Sequence, residues 1–272
     1  MKIDFGMIIF NGLSVMPRGM LKANLDNIYS FANIVHISEG AVHPTKINNG
    51  DATWASKNGS STDGTIEFLQ NYSDPDNKIK LYTKNGFYDG KLEMIQKWKI
   101  GGDYIWITDG DEFYHKKDME KIITYLEWNR DIDRVDFYAN QFFGDFHNCC
   151  DGDQRGWSNP IPWQRLFRYK KGDKWKSATP YILMDKDGRI KNKSVLSREM
   201  TGMMNIFLYH YAYVCESQAE FKKKYYNNSQ VSDLWHQWQL DHNIPLINGD
   251  RTKPFLGKHP KVIEKLLKEI KP

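Results

Sequence analysis

Three carboxylates follow directly after an apolar segment, and they are the side chains of this sequence best suited to chemistry. Residues 104–114 read Tyr-Ile-Trp-Ile-Thr-Asp-Gly-Asp-Glu-Phe-Tyr, which predicts a buried strand that runs into Asp109, Asp111 and Glu112. Open α/β sheets bind their ligands at the carboxyl ends of strands. Carboxylates at such an edge are suited to hold a hard divalent cation against a phosphorylated substrate. The alternative is that they only start a turn and cap the next helix.

The elements that position these carboxylates alternate between strand and helix. This order predicts an α/β fold with a mostly parallel sheet that is flanked by helices. The predicted strands lie at residues 5–10, 33–37, 78–82, 104–108, 134–138 and 164–169, with a further strand-like run at 207–213. The predicted helices lie at residues 17–31, 65–72, 91–99, 117–128, 220–226, 232–241 and 259–270.

Composition limits the class of protein. The chain has 272 residues, of which 40% are hydrophobic, enough for one large core. Its net charge of +4 includes no long block of like charge, which favours a phosphorylated small molecule over nucleic acid. The 3 cysteines form neither a disulfide framework nor a zinc motif and indicate a reducing compartment. With no signal peptide and no transmembrane segment in the sequence, we expect a cytoplasmic protein.

Several motifs, in this order, resemble glycosyltransferase family 2 of the GT-A fold. They are a strand that ends at Glu39, the Ser-Thr-Asp-Gly-Thr at 61–65 that opens a helix, Asn85-Gly86 before the helix with Lys91, and Gly102-Asp103-Tyr104 before Asp109-Gly110-Asp111. The resemblance covers residues 3–114 well and continues more weakly to about residue 226. One departure is that about twenty residues separate Glu39 from Ser61, where the family has an Asp pair directly before its Ser-x-Asp-Gly-Thr motif.

The resemblance implies a metal-dependent glycosyltransferase. It implies Mn²⁺ or Mg²⁺, a nucleotide-diphosphate sugar with UDP as the most common nucleotide, a saccharide or glycan acceptor, and inversion at the anomeric carbon. It places a GT-A catalytic domain at residues 1–215, with the nucleotide-sugar half at 1–114 and the acceptor half at 115–215. Residues 216–272 are then a helical C-terminal extension. The oligomeric state stays open.

Carried onto this sequence, the resemblance implies a metal site made of Asp109, Asp111 and His210. Asp111 is the first choice for a direct ligand, and Asp109 reaches the ribose or a metal-bound water. His210, from the strand-like run, completes the metal shell; the alternative is a buried histidine with a structural role. Nucleotide-sugar binding is assigned to Glu39, Asp63, Lys91, Asp109, Arg165 and Arg168. The alternation of residues 164–169 is interpreted as placing Arg165 and Arg168 on one face, either against phosphate or towards solvent.

Aromatic and acidic side chains are the candidates for acceptor binding and for the catalytic base. Tryptophan faces stack on sugar rings, so Trp157 and Trp163 are candidate acceptor contacts, and Glu112 either supports the metal ligands or faces the acceptor. An inverting reaction needs a carboxylate that deprotonates the acceptor hydroxyl. Asp153, ranked first, Asp145 and Asp151 are the candidate bases, although each is equally suited to a turn in a loop.

Two other classes of function fit parts of the same pattern. A metal-dependent nucleotidyltransferase or phosphohydrolase also uses acids after a strand, but the loop after the first strand lacks a glycine-rich phosphate motif and a nucleophilic aspartate. A non-catalytic sugar-binding module on the same scaffold would have no need of Asp109, Asp111 and His210 together.

Overall fold

A mixed β-sheet forms the centre of the protein. The structure, a computed structural model, describes residues 1–46, 52–150, 163–246, 249 and 251–270. The strands in these ranges are β1 (Ile3–Ile9), β2 (Val35–Glu39), β3 (Ile79–Tyr82), β4 (Tyr104–Ile107), β5 (Glu112–Phe113), β6 (Arg134–Phe143), β7 (Asn148–Cys150), β8 (Trp163–Arg168), β9 (Lys174–Ala178), β10 (Tyr181–Met184), β11 (Val195–Leu196), β12 (Phe207–Tyr213) and β13 (Thr252–Pro254).

Helices cover this sheet. The α-helices in the described ranges are α1 (Gly12–Val15), α2 (Met20–Ile28), α3 (Thr65–Gln70), α4 (Lys91–Gln96), α5 (Lys116–Trp128), α6 (Arg198–Met203), α7 (Glu216–Tyr225), α8 (Ser229–Leu240) and α9 (Lys261–Glu269). No helix in the described part of the chain is both long enough and apolar enough to cross a lipid bilayer.

The first four strands form the parallel half of the sheet, in the spatial order β3-β2-β1-β4. Phe5 of β1 is aligned with Val35 of β2 and with Trp106 of β4, and Val35 is in turn aligned with Ile79 of β3. Because the strands are parallel, their carboxyl ends meet at one edge of the sheet. The predicted βα order of the first 108 residues is confirmed, and it brings the ends of β1, β2 and β4 together.

The second half of the sheet is mixed. Strand β8 is antiparallel to both β4 and β6, whereas β12 is parallel to β6. Strand β12 is also antiparallel to the short β5, with His210 opposite Glu112. The loop that carries the carboxylates is therefore held between β4 and β12, although about one hundred residues separate these strands in the sequence.

Aromatic packing fixes β1 and β4 in the core. The rings of Phe5 and Trp106 stack with centroids 5.6 Å apart, and Phe137 of β6 continues the stack at 5.8 Å from Trp106. All three side chains are fully buried, and each buried side chain of this size contributes about 1.5–3 kcal/mol to folding. On the other face of β1, a Cβ on Gly6 would lie 2.4 Å from the Trp98 ring, so glycine is needed there for close packing.

Several predicted boundaries are wrong. The helix predicted at 17–31 is the shorter α2, and α1, which ends before Pro17, was not predicted. The strand predicted at 134–138 continues to Phe143 because β12 pairs with it from Tyr138 to Phe143 and β7 pairs with it at Phe142. The predicted C-terminal helices are present as α7, α8 and α9, and the last of these packs on α2, with Leu266 beside Gly19.

Candidate functional site

A cavity of about 230 Å³ opens at the carboxyl ends of β1 and β4. Its apolar wall includes Ile8, Phe10 and Val42, and its polar groups come from four different parts of the chain. These polar side chains are Lys91, Asp109, Asp111, His210, Gln218, Lys222 and the hydroxyls of Tyr213, Tyr225 and Tyr226. A concave site with apolar walls and a few convergent charged groups is typical of ligand binding.

The backbone of the carboxylate loop is fixed from two sides. Asn24 of α2 donates its amide hydrogens to the carbonyl oxygens of Asp109 (3.0 Å) and Glu112 (2.7 Å). From β12, the Tyr211 backbone N–H donates to the Asp111 carbonyl at 2.9 Å. These bonds satisfy the loop backbone, so the Asp109 and Asp111 side chains are presented to the cavity by a rigid support.

The structure brings Asp111 and His210 together. The Asp111 Oδ1 and His210 Nε2 atoms are 3.7 Å apart, and both side chains are mostly buried, with 20% and 13% of their surface exposed. His210 Nδ1 is buried and has no hydrogen-bond partner in the described ranges. The Trp163 ring packs edge-on against the imidazole at 4.8 Å. The imidazole is therefore oriented by packing, with Nε2 towards Asp111.

Asp109 stands beside the cations of the site. Arg165 Nη2 is 3.6 Å from Asp109 Oδ2. Burial alone would raise the pKa of Asp109, but the charges of Arg165 and Lys91 outweigh it and hold this pKa below its usual value. Asp109 is consequently an anion at neutral pH, although it shares its charge with Arg165.

The residues described by the structure contain no cluster of three or more His, Cys, Asp and Glu side chains that could hold a metal ion. The predicted set of Asp109, Asp111 and His210 is thus present as one close pair, Asp111 with His210, and a more distant Asp109. Two protein ligands are enough where phosphate oxygens supply the rest of the coordination shell, as is usual for Mg²⁺ at nucleotide sites.

The predicted role of Glu112 at the acceptor is not what the geometry shows. Glu112 is fully buried, and its two oxygens accept from Arg165 Nε at 2.8 Å and Nη2 at 2.5 Å. The planar guanidinium matches both carboxylate oxygens at once. Glu112 therefore orients Arg165 and has no surface left for a ligand.

The prediction that Arg165 and Arg168 share a face is wrong. Residues three apart on a strand point to opposite sides, since the side-chain period is two. Arg168 binds Asp133 at 2.6 Å and the Arg130 carbonyl at 2.7 Å, and it does not line the cavity. Arg165 is the arginine of the site, and its guanidinium also lies 4.8 Å from the Trp163 ring centroid.

Glu39 and Asp63 both act on the loops beside the cavity. Glu39 Oε1 accepts the Ser61 backbone N–H at 2.9 Å, while its Oε2 is buried with no partner in the described ranges. Asp63 Oδ2 accepts the backbone N–H groups of Leu13 and Ser14 at 3.0 and 2.7 Å. The assignment of Glu39 to nucleotide binding stays a prediction. Asp63 ties α1 to α3, which leaves its carboxylate little capacity for a ligand.

The candidate bases are only partly described. Asp145 Oδ1 accepts the backbone N–H groups of His147 and Asn148 at 2.7 and 2.8 Å. Asp145 thus stabilises a turn, which is the alternative to the role of catalytic base. Asp151, Asp153 and Trp157 lie outside the described residues. Trp163 lines the cavity beside His210.

Two lysines face the cavity, and sequence reasoning found only one of them. Lys91, at the start of α4, was predicted; Lys222, on α7, was missed. The sequence feature that could have identified Lys222 is its position among Gln218, Phe221 and Tyr225, which form the buried face of α7 at helical spacing. A lysine within such a stripe differs from the neighbouring Lys223, which is exposed.

Comparison with known proteins supports the resemblance found in the sequence. Residues 54–187, just under half of the chain, match the family model described as "Glycosyl transferase family 2". The resemblance to this family and the α/β GT-A fold class are confirmed. No curated protein matches the chain significantly.

Solved structures similar to this chain include S. aureus TarS. One TarS structure is 13% identical with a TM-score of 0.44, covering 89% of this chain and 44% of that chain. TarS 1–349 is 12% identical with a TM-score of 0.42, covering 89% and 73%. TarS 1–349 in complex with UDP-GlcNAc is 14% identical with a TM-score of 0.33, and the match spans 51% of this chain and about a third (35%) of that chain.

Proposed function

We propose, with the resemblance to glycosyltransferase family 2 as the premise, that this chain transfers a sugar from a nucleotide-diphosphate sugar to a saccharide or glycan acceptor. We further propose that the reaction inverts the anomeric carbon and depends on Mn²⁺ or Mg²⁺, and that the transferred group is a hexose. UDP is the first nucleotide to test. A cytoplasmic location, inferred from the cysteine content, belongs to the same proposal.

The observation that carries this proposal is the pairing of Asp111 with His210 at the strand edge. A carboxylate and an imidazole from distant parts of the chain face one cavity, 3.7 Å apart. No described residue forms a hydrogen bond with His210 Nδ1. Both donor types suit Mn²⁺, and the pair leaves the remaining coordination positions to diphosphate oxygens and water.

The charges around this pair suit the departure of a nucleoside diphosphate. As the sugar–phosphate bond breaks, negative charge develops on the β-phosphate oxygen, and a bound divalent cation would stabilise that charge. Lys91 faces the same cavity and adds a second positive group. Asp109, kept ionised by Arg165 and Lys91, can accept a hydrogen bond from a ribose hydroxyl. Trp163, beside His210, is suited to form the wall next to the sugar.

The acceptor base is proposed from the sequence rather than from the geometry. Asp151 and Asp153 keep the assignment, and Asp145 is the weakest of the three because backbone N–H groups occupy its Oδ1. A base must reach the acceptor hydroxyl on the face opposite the leaving group. Replacement of each aspartate by asparagine, with transfer measured against donor hydrolysis, is the way to choose among them.

The first prediction concerns the metal pair. Unfolding of the purified chain should be followed with UDP, GDP, CDP and dTDP, each in Mn²⁺ or in EDTA. A ligand that binds only the folded state raises the melting temperature, so one nucleotide should raise it in Mn²⁺ and much less in EDTA. Asp111→Asn should remove the Mn²⁺-dependent part of the rise, because the amide is a poor ligand for a hard cation.

The control is Asp131→Asn, which removes an exposed carboxylate between α5 and β6 and should keep the wild-type rise. The metal assignment is wrong if Asp111→Asn retains the full Mn²⁺-dependent rise. If none of the four nucleotides stabilises the wild-type chain, the proposed donor class fails, and a phosphohydrolase or a sugar-binding module becomes the better hypothesis.

A further inference from the structure

Lys222 is a cation in the cavity whose ammonium group has no hydrogen bond and no ion pair with the described residues. It lies 4.6 Å from the centroid of the Tyr226 ring. Lys91, at the start of α4, likewise has no hydrogen bond or ion pair within those residues. A lysine in a cavity without such a partner is unusual, because its charge loses part of its hydration.

Both lysines are charged at neutral pH. Burial lowers the pKa of Lys222, and Lys91 lowers it further, but Tyr213, Tyr226 and Asp111 together raise it above its ordinary value. The neighbours Tyr226 and Asp109 raise the pKa of Lys91 as well. The two ammonium groups repel each other, but their neighbours more than offset this repulsion, so the cavity holds both positive charges. Two such charges in one cavity suit a ligand of opposite charge.

The position of Lys222 is fixed by contacts of helix α7. The Tyr225 hydroxyl accepts from the Val42 backbone N–H at 2.7 Å and donates to the Val42 carbonyl at 3.2 Å. Phe221 packs edge-on against Trp54, with ring centroids 5.3 Å apart. Val42 and Trp54 belong to the segment between Glu39 and Ser61 that interrupts the family motif. The inserted segment therefore holds the helix that carries the second lysine.

We propose that Lys222, together with Lys91, binds the diphosphate of the donor in the cavity that the Asp111–His210 pair also lines. The identity of the ligand as a nucleoside diphosphate rests on the proposed function. Lys222 lies outside the region that matches the family model, so that match does not assign it. Once the negative charges of Asp109 and Asp111 are counted, two ammonium groups and a divalent cation balance the diphosphate of a nucleotide sugar, whereas one lysine alone would leave a negative charge in excess.

Lys222→Met and Lys223→Met form a matched pair on one helix, the first facing the cavity and the second facing solvent. Binding of UDP, GDP, CDP, dTDP, uridine and inorganic pyrophosphate should be measured by calorimetry in Mn²⁺. We expect Lys222→Met to weaken binding of the preferred diphosphate and of pyrophosphate at least tenfold, with uridine unchanged. Lys223→Met should bind all of them like the wild type, and Lys222→Arg, which keeps the charge, should stay within about threefold.

The ligand-free melting temperature gives an independent reading. Since Lys222 makes no hydrogen bond or ion pair within the described residues, Lys222→Met should melt close to the wild type, which separates lost binding from lost folding. Equal affinity of Lys222→Met and wild type for diphosphates and pyrophosphate would overturn the inference, and so would failure of the wild type to bind either. Lys222-dependent binding of pyrophosphate without binding of any nucleotide would support the inference and reject the proposed function.

Discussion

At the level of single residues, the partner of an ionic side chain decides its role more than its type does. Arg165 and Arg168 lie on one strand and are chemically the same, yet only Arg165 forms an ion pair with a carboxylate that lines the cavity, Asp109. Sequence could predict the strand, and its period of two should have separated the two arginines. It could not predict that Glu112, 53 positions away, binds Arg165 and is thereby lost as an acceptor contact.

The pair of Arg165 and Glu112 makes a prediction about stability. Arg165→Met leaves the fully buried Glu112 carboxylate without its counterion, which should lower the free energy of unfolding by about 3–5 kcal/mol. The double variant Arg165→Met with Glu112→Leu should recover part of that loss, because no buried charge remains. Urea unfolding of the wild type and of these two variants measures both effects.

Arg189→Met is the control for that experiment. Arg189 is 62% exposed and pairs with Asp185 and Asp187 at the surface, so its removal should lower the free energy of unfolding much less than Arg165→Met does. If Arg165→Met lowers the free energy of unfolding no more than Arg189→Met does, the buried pair of Arg165 and Glu112 does not stabilise the site.

At the level of elements, local order was predictable and long-range pairing was not. The strands and helices up to β4, and the carboxylates after it, follow from hydrophobic periodicity and from motifs that lie close in sequence. The neighbours of that loop do not. Strand β12 reaches it from residues 207–213, and α7 is held beside the cavity by contacts with Val42 and Trp54. His210 was found by its order in the family pattern, whereas Lys222 had no such guide.

The contact between α7 and the inserted segment can be tested through one hydroxyl group. Tyr225→Phe removes the buried bonds to the Val42 backbone, which leaves a buried N–H unsatisfied and should cost about 1–3 kcal/mol of stability. Because Lys222 is on the same helix, nucleoside diphosphate binding should weaken several-fold as well. Thermal unfolding and calorimetric titration measure the two losses.

Tyr125→Phe is the matched control, since the Tyr125 hydroxyl makes no hydrogen bond within the described ranges. It should change neither stability nor binding. A loss of stability in Tyr225→Phe with unchanged diphosphate affinity would show that α7 holds Lys222 in place without this contact.

At the level of the whole molecule, partly buried titratable groups connect residues 255–270 to the sheet. His259 precedes α9, and its Nδ1 is 2.8 Å from the Tyr211 hydroxyl of β12. The rings of Phe142 and Phe255 pack on it with centroids 5.3 and 5.1 Å away. His115 makes a similar link through the Tyr209 hydroxyl at 3.1 Å and the Lys258 carbonyl at 3.0 Å. Both histidines are therefore part of the seam that joins residues 255–270 to the sheet.

This seam predicts how the stability of the whole chain depends on pH. Burial, with the charge of His147, lowers the pKa of His259 from 6.5 to about 4, and burial also lowers the pKa of His115. Between these values the unfolded chain binds more protons than the folded chain, so stability falls as pH falls from about 6.5 to 4. The lowered pKa values of Asp4 and Asp74 act later, because their contribution is lost only as pH falls further through those values.

We expect the melting temperature to fall between pH 7 and pH 4.5 by an amount equivalent to about 2 kcal/mol for His259, after allowance for its partial exposure. His259→Gln takes up no proton in either state, so its melting temperature should fall less over this range, whereas His43→Gln, which replaces an exposed histidine, should keep the wild-type slope. Identical slopes for all three proteins would mean that His259 is protonated equally in the folded and unfolded chain. A flatter slope in His259→Gln alone would place the acid sensitivity of this fold at the contact between His259 and Tyr211 of β12. Protonation there puts a charge on a partly buried imidazole, which costs free energy unless the side chain leaves its packing site.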